Sequence, residues 1–565
     1  MHTPNTQPYP SSYFPYEVYP FARPADMDVP SGGRHPIVIV GAGPAGLALA
    51  ILLAEQGVKS VLVESEAQVS GGSRALAFTK RTMEIFEQCG IAQEMLSGAG
   101  IWSEGHSFYR NAVVHHLVIP FDEDDKFAPM TNLTQCWLEK YLVDRAVALG
   151  VDLRFQTRLE AMQVADDAVT LTLDTPQGEY KVRADWVVAC DGGKSTVRRL
   201  QGLRFEGQSY ESRFVIADFN IDLDEPMGRR CYFEPPWLPG QTALMHKAPR
   251  GVWRLDYQVP DNVSDEQALN DDRINSHIAA HLKYIGVDRP WSREWTTLYK
   301  PNALTLASYN HGRVLYCGDA AHILPVFGVR GINTGAQDSI NLAWKLAAVV
   351  QNKADASIFD TYSTERVADS RQICVEASRS TRMVAPPSRG FRVMQQAVLS
   401  LSIDHEFTRP LLHWRTSHPI DYENSLLSWK DADAFTAGPA PGAPPRNVLL
   451  SGKGAGAVYL LDAIKPAFNV LVFGNDAGLW SAALEDVRAA KAQGLRVRLI
   501  AVRADGAKPE GADAVAADPS GHAQALWGAE GGAVYVLRPD QHICARWKKG
   551  SSTRVAQVLR HAGLK

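Results

Sequence analysis

The sequence predicts an α/β protein with a parallel-sheet domain, a mostly antiparallel insertion and a smaller C-terminal α/β domain. From Ile37 onward, strand patterns alternate with helix patterns, which favours a parallel sheet covered by helices. Residues 205–305 interrupt this alternation with strand-like runs, which are typical of an antiparallel sheet. The stretch GPAPGAPPRN at 438–447 is the clearest linker, and a second α/β pattern follows it to Lys565.

Composition excludes several classes of protein. The 565 residues are 45% hydrophobic and 21% charged, which is ordinary for a globular protein of several domains. A net charge of −4 offers no basic field for nucleic acid. The sequence lacks an apolar run of about eighteen residues and a secretory leader pattern, so we expect a cytoplasmic protein without a membrane span. Its seven scattered cysteines form no Cys-x-x-Cys pair, which predicts reduced thiols and no metal site.

The first element is an arm. Residues 1–36 are rich in Tyr and Pro and show neither a helical nor a strand period, so we expect an extended segment over the surface.

Residues 37–64 (IVIVGAGPAGLALAILLAEQGVKSVLVE) then predict a strand, a glycine-rich turn, a helix and a second strand. Gly41 makes the tight turn, Gly43 lets the backbone approach a pyrophosphate, and Gly46 lets the helix pack closely on the strand. The pyrophosphate lies at the helix N-terminus, where free N–H groups favour anions. Glu64 is placed to accept ribose hydroxyls. This Rossmann-like pattern predicts a bound dinucleotide without distinguishing FAD from NAD.

Two later segments have no place in a simple NAD dehydrogenase. In DWVVACDGGKSTVR, a strand leads into a turn at Asp191 and then into a basic helix. In GDAAHILPVFGVRGINTGAQD, Asp319 follows an apolar strand, and Gly328 and Gly331 precede a long apolar helix that we expect to start near Thr334.

Together, the three segments resemble the glycine, DG and GD motifs of the FAD-dependent class A aromatic hydroxylases, which have the p-hydroxybenzoate hydroxylase fold. The resemblance covers about residues 37–380 and implies a glutathione-reductase-type domain with non-covalent FAD. It implies that Asp319 holds ribityl or ribose hydroxyls and that the loop from Pro325 through Gly331 to Asn333 follows the isoalloxazine edge. The N-terminus of the next helix would then stabilise negative charge on the reduced flavin.

The same resemblance extends to side chains outside these motifs. Arg74 resembles an arginine that reaches the FAD pyrophosphate and the incoming nicotinamide cofactor, and Gln135 resembles a glutamine beside the flavin ribose. The implied FAD contacts are Gly41, Gly43, Pro44, Ala45, Gly46, Glu64, Arg74, Gln135, Asp191, Gly318, Asp319, Gly328, Gly331, Ile332 and Asn333. The family's usual pair of prolines is here Pro325-Val326, which leaves the contact to the substrate hydroxyl open.

Substrate contacts are expected in the insertion. The alternating run WRLDYQ places Arg254 and Asp256 on one face of a strand and Tyr257 on the other. In the resembled fold this sheet covers the flavin, so Arg254, Asp256 and Pro325 are the candidate catalytic residues, with the polar face holding a phenol or a carboxylate. A polar face that simply points to water is the alternative. His246, on a neighbouring strand, is expected to be structural.

Residues 441–565 resemble the thioredoxin-like C-terminal domain of phenol hydroxylases and 3-(3-hydroxyphenyl)propionate hydroxylase-like proteins. The resemblance is carried by FNVLVF at 468–473 and GAVYVLRPD at 532–540. Cys544 is the only cysteine of this region, so we expect a packing or dimerisation role and a homodimer. The expected domains are an arm at 1–36, an FAD domain at 37–112, 130–204 and 306–390, a substrate sheet at 113–129 and 205–305, a helical linker at 391–440 and this tail.

The function implied by the resemblance is hydroxylation of a phenolic compound at an ortho or para carbon. NADPH or NADH would reduce FAD, and O₂ would form a flavin C4a-hydroperoxide that attacks the ring. A polyketide-type hydroxylase and a halogenase-like oxidase on the same scaffold are alternatives, although the halogenase signature Trp-x-Trp-x-x-Ile is absent from the sequence. A non-catalytic flavin-binding module is a third. The aromatic substrate and the choice between NADH and NADPH stay open.

Overall fold

The fold is seen in a computed structural model that describes residues 1–412, 418–431, 433–452 and 454–565. Its first domain is built on an eight-stranded sheet with five parallel strands. In spatial order these are Val314–Tyr316, Gly178–Ala189, Gly33–Val40, Val61–Val63 and Asp152–Arg154. Asn310–His311 forms one edge, and Val169–Thr175 and Arg158–Val164 extend the sheet antiparallel. Val61–Val63 and Val314–Tyr316 are short, buried apolar strands, which is typical of parallel strands covered by helices.

Helices and small sheets complete this domain. The helices are Pro44–Glu55, Lys80–Gln88, Ala92–Gly98, Gln135–Ala148, Thr196–Leu200, Gly331–Val350 and Ile358–Val384. The small sheets consist of Ala77–Thr79, Met130–Asn132 and Gly100–Trp102, and of Glu206–Ser209, Asn302–Thr305 and His322–Ile323. Pro44–Glu55 packs against both Gln135–Ala148 and Gly331–Val350, so the first glycine turn and the second glycine-rich segment are brought together.

The insertion is a seven-stranded sheet. Its strands, in order, are Trp291–Tyr299, Arg213–Ile221, Val252–Val259, Thr242–Lys247, Arg229–Phe233, Glu104–Tyr109 and Ala112–Val118. Helices Asp265–Ala268 and Asp271–Tyr284 belong to the same region, and residues of the second helix join the apolar core on one face of the sheet.

The expected boundary between residues 112 and 113 is wrong, because both strands of the hairpin from Glu104 to Val118 belong to the seven-stranded sheet. Arg110 and Asn111 at its tip have φ values of 49° and 62°, so the chain reverses in a tight turn. The sequence analysis did not predict this turn, because neither of the two residues at the tip is glycine.

The C-terminal domain contains a five-stranded sheet. Its order is Ala514–Ala517, Val497–Arg503, Phe468–Phe473, Ala533–Leu537 and Ile543–Lys548, with the first three strands parallel and the last two antiparallel. Helices Ala477–Ala492, His522–Leu526 and Val555–His561 and the hairpin Leu449–Ser451 and Val458–Tyr459 accompany it. Before this domain, the helix Arg389–Asp404 opens the expected linker, of which residues 413–417 and 432 lie outside the described residues.

Buried charges join the C-terminal domain to the FAD domain. Arg538 Nη1 lies 2.6 Å from Glu365 Oε1, and Lys345 Nζ lies 2.8 Å from Glu365 Oε2. Asp540 pairs with Arg538 and accepts a 3.1 Å hydrogen bond from the Trp344 indole. All these side chains are almost fully buried, so removing one partner leaves an uncompensated charge.

The N-terminal arm has a short 3₁₀ helix at Ala25–Asp28, and the strand Gly33–Val40 begins inside the expected range of the arm. The arm's side chains Phe14 and Tyr16 are buried and join the main apolar core. The Ser12 N–H donates to Glu294 of the seven-stranded sheet at 2.9 Å, and the Tyr16 hydroxyl accepts a 2.9 Å hydrogen bond from the Gly72 N–H. The arm therefore ties the FAD domain to the insertion. No helix in the described ranges is both long enough and apolar enough to span a bilayer.

Candidate active site

A cavity of about 860 Å³ lies between the FAD domain and the seven-stranded sheet. Gly41, Gly43 and Glu64 line one end, and Arg254 and Asp256 line the other. The dinucleotide turn and the polar face of the insertion thus share one cavity, large enough for a cofactor and a small molecule together.

The three glycines of the first turn have different surroundings. Gly41 has a φ of 103°, and a Cβ there would lie 2.5 Å from the Cys190 carbonyl oxygen. A Cβ on Gly46 would lie 2.0 Å from the Gly41 carbonyl oxygen. A Cβ on Gly43 would meet nothing within 4 Å and would project into the cavity. Gly41 and Gly46 therefore serve the fold, whereas Gly43 leaves space for a ligand at the helix N-terminus. Pro44 and Ala45 line the same end.

Two carboxylates lie near this turn. Glu64 lines the cavity, and its Oε2 accepts a 2.8 Å hydrogen bond from the Ala42 N–H, so it also braces the turn. Asp191 Oδ2 accepts a 3.1 Å hydrogen bond from the Val197 N–H at a helix start. Asp191 Oδ1 is buried and has no hydrogen-bond partner among the described residues, and burial raises the pKa of this carboxyl.

The second glycine-rich segment lines the middle of the cavity with Gly318, Asp319, Gly328, Gly331 and Ile332. Asp319 is open to the cavity but deep in the molecule, and burial raises its pKa. Gly318 has a φ of 64°, and its N–H donates to the fully buried Asp338 at 3.0 Å. The following helix starts at Gly331, three residues before the expected Thr334, so its N-terminus borders the cavity.

Pro325 and Asn333 lie differently from expectation. Neither is among the described residues that line the cavity, although Leu324 and Val326 on either side of Pro325 are. Asn333 Oδ1 accepts a 2.9 Å hydrogen bond from the Thr79 N–H, so its side chain holds a strand of the FAD domain. The Asn333 side chain therefore contacts the protein, and Pro325 is buried.

Arg74 and Gln135 both line the cavity. Arg74 has a φ of 41° and an exposed side chain. Gln135 Oε1 accepts a 3.2 Å hydrogen bond from the Ala75 N–H, and its Nε2 donates to Glu139 at 2.7 Å. Gln135 therefore supports the backbone next to Arg74.

Arg254 and Asp256 face the cavity, whereas Leu255 and Tyr257 belong to the apolar core of the insertion. Arg254 donates from Nε to Asp218 at 3.2 Å. Its Nη2 donates to the Arg74 carbonyl oxygen at 2.6 Å and also contacts Ser73 Oγ. Much of the hydrogen-bonding capacity of Arg254 is thus used inside the protein, which sequence reasoning did not anticipate.

Asp256 is 7% exposed, and its Oδ1 has no hydrogen-bond partner in the described part of the chain. Burial raises the pKa of Asp256 to about 7. His246 Nε2 lies 3.9 Å from Asp256 Oδ2. Burial, reinforced by Arg229 and Arg254, holds the pKa of His246 well below its usual range, so this contact joins a neutral imidazole to a carboxyl group. His246 lines the cavity although the sequence suggested a structural role.

Sequence reasoning missed other residues at this end of the cavity, namely Arg229, Leu244, Thr297, Tyr299 and Phe327. Arg229 is directly opposite His246 across two paired strands, which places both on the polar face. The sequence alone did not show which strands pair, and no local pattern marks Arg229 as a cavity residue.

A surface group of possible metal ligands lies outside the cavity. Glu104, His106 and His116 meet on the exposed hairpin, with His116 Nε2 2.9 Å from Glu104 Oε2. The two histidine rings stack 4.4 Å apart at an interplanar angle of 11°. Metal-binding lone pairs lie in the ring planes, and nearly parallel planes do not converge on one ion.

The chain matches two protein-family models. The model described as an FAD binding domain matches residues 34–377, and the model described as the HcaD C-terminal domain matches residues 451–562. The 3-(3-hydroxy-phenyl)propionate/3-hydroxycinnamic acid hydroxylase of Mycolicibacterium smegmatis is 27% identical over 538 residues, or 91% of this chain and 90% of that protein. The Escherichia coli K12 enzyme of the same name is 27% identical over 523 residues, or 90% and 91%.

Solved structures are also similar. The flavin-dependent monooxygenase PieE in complex with FAD and substrate superposes with a TM-score of 0.78 at 24% identity, covering 94% of this chain and 99% of the other. Aklavinone-11 hydroxylase with FAD and aklavinone gives a TM-score of 0.73 at 25% identity with the same coverage.

The residues that line the cavity fit a bound FAD. Gly43 leaves open space where a helix N-terminus borders the cavity, and the carboxyl groups of Asp191 and Asp319 belong to residues that line it. A second helix N-terminus, at Gly331, also borders the cavity. An elongated cofactor with a pyrophosphate and several hydroxyls matches this series of groups.

Proposed function

The chain belongs to the family defined by this FAD binding domain, and on this premise we propose that it is an FAD-dependent monooxygenase that hydroxylates a phenolic compound. The observation that carries the proposal is the single cavity shared by the dinucleotide turn and the polar face of the insertion. When bound, FAD supplies the chemistry that takes electrons from NADH or NADPH and activates O₂.

The protein itself holds the cofactor, orients the ring and excludes water. Gly43 and the following helix N-terminus would hold the pyrophosphate, and Asp191 and Asp319 would accept hydrogen bonds from cofactor hydroxyls. Arg74 would contact the pyrophosphate side, and Gln135 supports the backbone next to Arg74. The helix N-terminus at Gly331 would stabilise negative charge on the bound cofactor.

The substrate would lie under the seven-stranded sheet, where the cavity is lined by apolar side chains such as Leu244 and Phe327 together with polar ones. Both curated relatives are named as hydroxylases of hydroxyphenylpropionate and hydroxycinnamate, so we assign a hydroxylated aromatic acid as the substrate class. Burial lowers the pKa of Arg229, and a substrate carboxylate beside it would stabilise its charged form. A polyketide-type substrate is not favoured, because the relatives named for small phenolic acids align over nine-tenths of this chain.

The remaining assignments concern organisation. We assign residues 104–118 and 205–305 to the substrate domain, the arm to an interdomain strap and the tail to packing and homodimer assembly. All seven cysteines are free thiols, which agrees with a cytoplasmic location. Light scattering of the purified protein measures the oligomeric state directly.

The decisive experiment uses purified protein loaded with FAD. NADH and NADPH oxidation is followed with and without 3-(3-hydroxyphenyl)propionate, H₂O₂ is measured, and products are weighed by mass spectrometry. We expect substrate-stimulated oxidation and a product heavier by one oxygen atom, with FAD released from the chain on denaturation. Failure of an entire panel of hydroxylated aromatic acids to stimulate oxidation would overturn the proposal.

A further inference from the structure

A chain of buried polar contacts connects the second glycine-rich segment to the C-terminal domain. It begins at Asp338, which is fully buried in the helix Gly331–Val350. Asp338 Oδ2 accepts a 3.0 Å hydrogen bond from the Gly318 N–H and lies 2.7 Å from His322 Nε2. One carboxylate thus fixes the turn from which Asp319 lines the cavity.

Arg366 is the next member of this chain of contacts. It is fully buried in the helix Ile358–Val384, and its Nε donates to Asp338 Oδ1 at 2.6 Å. Its Nη2 donates at 3.3 Å to the carbonyl oxygen of Thr334, in the first turn of the helix that borders the cavity. Although burial by itself would raise it, the charges of His322 and Arg366 hold the pKa of Asp338 below its ordinary value. One guanidinium group therefore holds both the turn before this helix and the start of the helix.

Tyr422 links Arg366 to the C-terminal domain. Its buried hydroxyl accepts a 3.0 Å hydrogen bond from Arg366 Nη1. The Tyr422 ring stacks on the His542 ring, with 4.2 Å between the centroids and 23° between the planes. The Tyr422 N–H donates to the Gly442 carbonyl oxygen at 2.8 Å, and the Gly442 N–H donates to the carbonyl oxygen of Ile543 at 2.7 Å. Ring and backbone contacts therefore fix this hydroxyl relative to the last strand of the C-terminal sheet.

We propose that Arg366 and Tyr422 are positioning residues through which the C-terminal domain holds the second glycine-rich segment against FAD, an inference that rests on the cofactor part of the proposed function. Neither is among the described residues that line the cavity, so both act through Asp338 and Thr334. Besides packing, the tail then determines how firmly the turn and the helix N-terminus are held beside the cofactor.

The firmness of this helix N-terminus matters because its free N–H groups carry a partial positive charge. Dipoles that are already in place stabilise an anion better than dipoles that must first rearrange. Reduced flavin carries negative charge in this position of the resembled fold. We therefore expect the contact from Tyr422 to tighten FAD binding and to raise the midpoint potential of the bound FAD.

The first test removes only the hydroxyl of Tyr422. Tyr422→Phe keeps the ring on His542, while Arg366 loses one acceptor and can turn toward Asp369, which it also contacts. We expect the FAD dissociation constant to rise about threefold to tenfold, as the loss of one hydrogen bond implies. The midpoint potential of the bound FAD should become more negative.

Fluorescence titration of the full-length apoprotein measures the dissociation constant, and reduction of the FAD-loaded protein in equilibrium with a reference dye measures the potential. A dissociation constant and a potential equal to those of the wild type would overturn the proposal.

Glu365→Gln is the matched control, because Glu365 lies in the same buried junction but contacts a later part of the helix. Its carboxylate pairs with Arg538 and with Lys345, about three helical turns beyond Thr334. We expect this variant to lower the urea midpoint of the apoprotein while the affinity and potential of FAD stay at their wild-type values. Tyr422→Phe should show the opposite pattern. Changes in FAD properties that follow the loss of stability in both variants would mean packing alone and would overturn the proposal.

A further variant tests whether the contacts form one path. Arg366→Lys keeps the positive charge opposite Asp338, but one ammonium group cannot replace the directed contacts of the guanidinium. We expect the FAD dissociation constant to rise by about tenfold or more. Adding Tyr422→Phe to this variant should change it little further, because the hydroxyl no longer has a guanidinium to hold. Losses that simply multiply in the double variant would overturn the link.

The outcomes separate this inference from the proposed function. Altered FAD affinity and potential in Tyr422→Phe, with a wild type that hydroxylates no phenol, would retain the positioning role and reject the hydroxylase. Substrate-stimulated hydroxylation, with FAD properties that Tyr422→Phe leaves unchanged, would retain the hydroxylase and reject the positioning role. A wild-type protein that binds no FAD would overturn both.

Discussion

Arg254 Nη2 donates a hydrogen bond to the backbone carbonyl oxygen of Arg74, 2.6 Å away. The bond joins the substrate sheet to the FAD-domain loop between the strands Val61–Val63 and Ala77–Thr79. The same side chain pairs with the fully buried Asp218. Arg254 therefore connects the two domains and also lines the cavity. Its substitution should affect both the stability of the protein and the coupling of NAD(P)H oxidation to hydroxylation.

Replacing Arg254 by Met leaves the Asp218 carboxylate buried without its partner. We expect the free energy of unfolding to fall by about 3–5 kcal/mol. Less of the consumed NAD(P)H should yield hydroxylated product and more should yield H₂O₂, because the loop near Arg74 loses its anchor. Urea unfolding and H₂O₂ assays measure these effects.

Two companion variants sharpen this test. Tyr257→Phe, on the opposite face of the same strand, should stay within about 1 kcal/mol of the wild type and remain coupled. Adding Asp218→Asn to Arg254→Met should recover part of the lost stability, since the uncompensated charge is gone. An Arg254→Met protein that is as stable as the wild type and produces no additional H₂O₂ would contradict this connecting role of Arg254.

The neighbouring glycines of the first turn should respond differently to an added side chain. Gly43→Val places its side chain in the cavity, so we expect FAD affinity to fall by tenfold or more, or about 1.4 kcal/mol or more, while apoprotein stability is kept. Gly41→Ala collides with the Cys190 carbonyl in a left-handed conformation and should lower stability by about 1–3 kcal/mol. FAD fluorescence titration and apoprotein unfolding separate the two effects. Equal losses of affinity and stability in both variants would contradict the assignment.

Cys544 should be chemically inert. It is buried, donates a 3.0 Å hydrogen bond to the Leu427 carbonyl oxygen, and burial raises its pKa to about 12. A neutral thiol is a poor nucleophile, so iodoacetamide should not label it in the native protein. Cys544→Ser retains a donor and should leave hydroxylation nearly unchanged. A collapse of turnover with FAD content intact would argue for a redox role of the tail.

The charge cluster at the domain junction should make stability depend on pH. Although burial by itself would raise it, the charges of Arg538 and Lys345 hold the pKa of Glu365 well below its usual range. Its stabilising contribution is therefore present above the unfolded pKa of about 4.3 and is lost as the pH falls below it. Glu365→Gln should lower the free energy of unfolding at neutral pH by about 3–5 kcal/mol.

The measurement is the urea midpoint of the wild type and of Glu365→Gln across the acidic range. The variant should show a weaker dependence on pH than the wild type, because it lacks this titrating group. Parallel curves for the two proteins would contradict the assigned contribution of Glu365.

Sequence patterns predicted those features of the fold that depend on residues close together in the chain. The glycine turn follows from strand, turn and helix signals within thirty residues, and the alternation around Arg254 and Asp256 gave the correct strand phase. Pro325 and Asn333 were placed at the cavity by motif position, which does not say where a side chain points. Arg229 and the hairpin from Glu104 were missed because they depend on pairing between distant strands. The parallel pairing of Arg229–Phe233 with Glu104–Tyr109 leaves no local signal.

The N-terminal arm bears on the order in which the chain folds. Ser12 contacts Asn220 and Glu294, which lie 208 and 282 residues further along the chain. During synthesis the arm emerges before the insertion, so its partners exist only after the insertion has been made and its sheet has closed. The arm thus docks late although it is made before them, and until then the backbone of Gly72 lacks the Tyr16 hydroxyl that accepts its N–H.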